Sequence, residues 1–104
     1  MRFKVELLED VFSFLRHNCT AEERVDFQNS LRSVAEAPVT NSELHLDPAV
    51  SQYVLRRFRF GAERRKIAVF ELDAAESRIK VIECRQFKLR RERIDDRDGG
   101  APDK

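Results

Sequence analysis

Between residues 52 and 87 the chain carries three strand-like runs separated only by short turns, and this arrangement limits the fold more than any other feature. A parallel connection needs a crossover of a dozen or more residues, so runs this close must pair as antiparallel neighbours. The first run, 52–60, reads QYVLRRFRF and is rich in aromatic, β-branched and arginine residues. Residues 61–64 read as a turn opened by Gly61. Residues 65–73, RKIAVFELD, form a nearly continuous apolar strand, and 73–77 a second turn. In the last run, 77–87, Ile79 and Val81 alternate with Arg78 and Lys80 before the alternation blurs.

Upstream the period changes. Phe3, Val5 and Leu7 alternate with Lys4 and Glu6, the pattern of a half-buried strand over 3–8. A helix follows over 9–17, with Glu9 and Asp10 in its first turn and Val11, Phe12, Phe14 and Leu15 crowded on one side. Thr20-Ala-Glu-Glu23 is a capping box that starts a second helix, and Phe27, Leu31, Val34 and Ala35 form its apolar stripe until Pro38 ends it. Residues 39–51, with Pro48, Asn41, Ser42 and Asp47, read as a loop. The expected architecture is therefore α+β, in the order β-α-α-β-β-β. A two-helix hairpin packs on one face of a four-stranded, mainly antiparallel twisted sheet, leaving the other face for function.

With 104 residues, one domain over 1–90 is expected, followed by a charged tail over 91–104 that reads as disordered. No apolar run approaches the ~20 residues of a membrane span, and the first residues are charged throughout, so a cytoplasmic protein with no membrane partner is expected. Cys19 and Cys84 have no metal-ligand spacing and read as small hydrophobes, without a disulfide. His17 and His45 read as solvated. No metal and no cofactor is expected.

Formal charge is +1 overall, but the signs are segregated. Residues 1–51 carry 5 Lys+Arg against 9 Asp+Glu, residues 52–93 carry 13 against 6, and residues 94–104 carry 2 against 4. An arginine-rich sheet suits a polyanion or an acidic protein partner. Strand alternation puts Tyr53, Leu55, Arg57 and Arg59 on one face and Val54, Arg56, Phe58 and Phe60 on the other, with Arg56 snorkelling at the edge. Arg59, Arg65 or Lys66, and Arg85 fall on adjacent strands, where they are candidates to converge on one phosphate. Guanidinium forks match phosphate oxygens two at a time. Arg57, Arg65 and Tyr53 are candidate RNA contacts, Tyr53 through base stacking.

The order of elements, with LRRFRFG, RKIAVFELD and RIKVIECRQF, resembles the RelE/ParE superfamily of type II toxin–antitoxin toxins over about residues 3–90. The resemblance implies a metal-independent, ribosome-dependent mRNA endonuclease. In it a ribose 2′-hydroxyl attacks the adjacent phosphate while Arg59 and Lys66 (or Arg65) stabilise charge and Arg85 clamps the phosphate. Its partners would be mRNA, the ribosome and an acidic antitoxin that folds over the basic groove. Many such nucleases place a Tyr or His after the last-strand arginine, whereas QFKLRRERIDDRDGGAPDK after Arg85 holds neither. Lys66, Glu83 and Tyr53 remain open as the base. Two alternatives stand beside the nuclease: a ParE-like toxin that inhibits DNA gyrase by binding it, and a non-toxic interaction module of the same fold.

Overall fold

The computed structural model describes residues 2–45 and 55–86. The expected tail 91–104 and the candidate Tyr53 lie outside the described residues. Strand β1 (Lys4–Leu7) leads into α1 (Glu9–Asn18) and α2 (Ala21–Glu36). Then come β2 (Glu43–Leu44), β3 (Leu55–Phe60), a 3₁₀ turn (Ala62–Arg64), β4 (Lys66–Asp73) and β5 (Arg78–Gln86).

Helix α1 has no side-chain cap, but Glu9 and Asp10 open it and Arg16 and His17 close it, matching both ends of its dipole. Helix α2 has the full capping box: Glu23 N donates to Thr20 Oγ1 and Thr20 N to Glu23 Oε1, each at 3.1 Å. At its other end Ala37 N donates back to Ser33 O, and Pro38 follows.

The α+β class holds, but the sheet differs from the expected one. It has five strands in the order β1-β5-β4-β3-β2, and β1 runs parallel to β5, so it is mixed. The fifth strand, β2, lies inside the expected 39–51 loop. Two residues are too few to show a period, and Glu43 and Leu44 become a strand only by pairing with Arg57 and Arg56.

Helix α1 lies over β5 and α2 over β3. Beneath them Val11, Phe27 and Val34 meet Phe58, Phe60, Ala68, Phe70, Ile79 and Val81, all buried. Phe27 anchors this core, edge-on to Phe60 at 5.1 Å and tilted against Phe58 at 5.7 Å. Phe12, expected on the buried side of α1, is 50% exposed, because α1 buries only Val11 fully.

The face away from the helices is not simply open. Leu55, Ile67 and Val69 are buried there with Ile82 packed against them. This second cluster explains the continuous apolar texture of β4, which is buried on both sides. A register shift between Val69 and Phe70 lets Ile82 and Glu83 share one position opposite Val69. The bulge moves the helix-facing positions of β5 from Ile79 and Val81 to Cys84 and Gln86, which is why the alternation blurs.

Candidate functional site

Residues paired across strands share a face, so the register sorts the candidates directly. Arg59 pairs with Ile67 and Ile67 with Arg85. The two arginines thus stand in one row on the face away from the helices, two strand spacings or about 9–10 Å apart. In the next row Arg57 pairs with Val69 and Val69 with Glu83. Arg57, Arg59 and Arg85 therefore stand on one face of the sheet.

Lys66 does not. It opens β4 on the opposite face, where its Nζ donates to Glu23 Oε2 at 3.0 Å, and both side chains are largely buried. The same Glu23 oxygen accepts Ala62 N at 2.8 Å, while Asp26 Oδ2 accepts Gly61 N at 2.7 Å. The first turns of α2 thereby clamp the β3–β4 turn. Hydrogen bonds from Ala62 N, Thr20 N and Lys66 hold the Glu23 carboxyl down at about 2. Gly61 has φ +87°, and a Cβ there would sit 3.0 Å from Glu23 Oε2, so both backbone and space call for glycine. Arg65, at the end of the turn, pairs with Glu63 at 3.0 Å.

Each arginine of the face has an acidic neighbour. Glu43 Oε1 receives Arg59 Nε at 2.9 Å and lies 3.4 Å from Arg57 Nε. Partial burial pushes the Glu43 carboxyl up, but the hydrogen bond and charge of Arg59, joined by Arg57, outweigh it and hold the group below its ordinary value. Arg85 pairs with Glu83. Along the rest of the face Glu71 stands by Lys80, Lys80 by Glu6, and Asp73 by Arg78. The basic balance of 52–93 is thus offset on the folded face by acids, Glu43 and Glu6 coming from the first half of the chain. Sequence reasoning missed Glu43 because its strand carries no period.

Arg56 lies at the edge as expected, its guanidinium donating to Ser42 Oγ, Ser42 O and Val39 O. His17 is exposed, with Nδ1 3.0 Å from Ser13 O. His45, expected to be solvated, is half-buried, and its backbone N donates to Leu55 O. Cys19 and Cys84 are half-buried free thiols against the main core, and burial pushes the Cys84 thiol up to about 12. Among the described residues no three His, Cys, Asp or Glu side chains gather as metal ligands, and no helix is long and apolar enough to cross a membrane.

The chain matches no family model, no curated protein and no solved structure.

Proposed function

We propose that the chain is a RelE-like toxin of a type II toxin–antitoxin system, a metal-independent, ribosome-dependent mRNA endonuclease. The observation that carries this reading is the row in which Arg59 and Arg85 flank Ile67, with Arg57 one row along. A phosphodiester laid across that row meets guanidiniums from both sides. They stabilise the charge on the non-bridging oxygens as the ribose 2′-hydroxyl bonds to phosphorus and the P–O5′ bond breaks, leaving a 2′,3′-cyclic phosphate and a 5′-hydroxyl that takes up a proton. Glu83, on the same face beside Arg85, is the proton acceptor. It takes the place left open by the absence of a Tyr or His after Arg85, and Lys66 is committed to Glu23 on the other face. The exposed Arg85–Glu83 pair does not bar a phosphate, because a pair of this kind is worth only about 0–1 kcal/mol, whereas the half-buried Glu43 pairs must open for a phosphate to reach Arg57.

A ParE-like inhibitor of DNA gyrase is the second reading. The near balance of acids and bases on the sheet face favours it, since alternating charge suits a protein surface better than a polyanion. Induction of the chain in cells, with total RNA mapped by primer extension, separates the two. The nuclease reading expects growth arrest with cuts inside translated messages, both lost in the folded R59A/R85A variant and reduced about 10²-fold or more in E83Q. Arrest with intact messages moves the assignment to gyrase. Normal growth refutes both.

A further inference from the structure

Beside the Arg59–Arg85 row the sheet edge is notched. Strand β2 joins β3 only from Glu43 onward, opposite Arg57, so among the described residues the Arg59 end of β3 has no strand on that side. The gap is a polar cavity of about 430 Å³ lined by Thr40, Ser42, Glu43, Arg57, Arg59 and Arg64, among others. We infer that this notch is a phosphate-binding subsite, taking a phosphate group next to any held by the Arg59–Arg85 row. It deepens the nucleic-acid reading of that face, but its test requires no cleavage.

Three features support it. The lining places three guanidiniums against the single carboxylate of Glu43, and Arg57 and Arg59 both turn their Nε toward the same Glu43 oxygen. The notch therefore keeps an excess of two positive charges. Arg57 Nε is cut off from solvent and held only by its 3.4 Å ion pair with Glu43, short of a full hydrogen bond, so a phosphate oxygen displacing Glu43 would serve it better. Finally, Arg64 is held at the notch by an unusual backbone. Glu63 and Arg64 sit consecutively in the left-handed region at φ 57° and 55°, a conformation non-glycine residues adopt at a cost. Arg64 N donates to Gly61 O at 2.9 Å, while its exposed guanidinium makes no hydrogen bond or ion pair among the described residues.

The opposite wall is pre-set. Asn41 Nδ2 donates to Ser33 O at 2.8 Å, Ser42 Oγ donates to Pro38 O, and Arg56 Nε donates to Ser42 Oγ at 2.6 Å. Little ordering remains to be done on binding. Glu43 is then the intramolecular stand-in for the ligand: its carboxylate occupies guanidiniums that a phosphate would contact.

The test is titration of the full chain with inorganic phosphate, and with a 2′-O-methyl oligoribonucleotide that cannot be cleaved. Arginine Nε–Hε resonances are followed by NMR. The subsite predicts that both ligands shift the Arg57 and Arg64 signals. R64A should weaken binding about tenfold, and E43Q should strengthen it severalfold. R78A, an equal charge loss on the same face far from the notch, should change it less than twofold. R64G keeps the turn's backbone and must reproduce R64A, which excludes a folding artefact. Shifts with the oligonucleotide alone would assign the notch to a strand and not to free phosphate, and still support it. Equal losses in R64A and R78A, or weaker binding in E43Q, would show diffuse attraction and overturn the subsite. Failure of RNA cleavage in cells would leave these binding results unaffected.

Discussion

Replacing Glu23 with glutamine tests the central joint of the fold. The carboxylate serves three donors: Thr20 N, Ala62 N and the Lys66 ammonium. An amide of the same shape has one acceptor oxygen, and its NH₂ group must face a donor. Two routes give the cost. Leaving a largely buried charge without its partner costs about 3–5 kcal/mol. Independently, the Glu23 carboxyl is held at about 2 instead of an ordinary 4.5, a preference for the charged folded form of about 3 kcal/mol. We therefore expect E23Q to lose about 3 kcal/mol at pH 7, a large share of the ~5–15 kcal/mol of a small domain. The pH dependence has a definite sign. A group whose folded value is depressed stabilises above its unfolded value and loses that contribution as pH falls. In the native chain this share is complete above about pH 4.5 and disappears toward pH 2. Urea melts at a series of pH values between 7 and 2.5 measure both effects, and the gap between native and E23Q chains should close with acid. A gap under about 0.5 kcal/mol at pH 7, or one that stays constant down to pH 2.5, refutes the clamp.

Three further outcomes follow from the same geometry. G61A should cost about 1–3 kcal/mol, because φ +87° strains any side chain and the new methyl meets Glu23; thermal melts check this. F27A should cost about 3–5 kcal/mol by opening the aromatic cluster, while F12A, at a half-exposed position, should cost less than 1 kcal/mol; paired urea melts decide. The Cys84 thiol, pushed up to about 12, should resist alkylation at pH 8 in the folded chain and react at an ordinary rate in urea, as mass spectrometry would record.

Local signals in the sequence carried far. The Thr20–Glu23 capping box was legible because its donors and acceptors lie within one turn. The face shared by Arg57 and Arg59 followed from strand alternation. The second role of Glu23, which reaches Ala62 and Lys66, was not legible, since no local pattern records a partner 39 or 43 residues away. Lys66 was ambiguous for a related reason: β4 is apolar on both faces, so its alternation does not say which side Lys66 takes. The parallel pairing of β1 with β5 joins the two ends of the described chain, and the two residues of β2 acquire their conformation from β3 alone. The blurred run after Val81 did hold information, because an interrupted alternation is how a bulge appears in a sequence.

That bulge also divides β5 mechanically. Up to Val81 the strand is gripped on both flanks, by β1 and by β4; past it, among the described residues, only β4 holds it. The outer half is held from one side only among the described residues, and Glu83 and Arg85 ride on it. Small movements of Arg85 toward or away from Arg59 therefore cost less than equal movements anywhere in the doubly gripped half, and the chain can adjust the width of this row without disturbing the core beneath the helices.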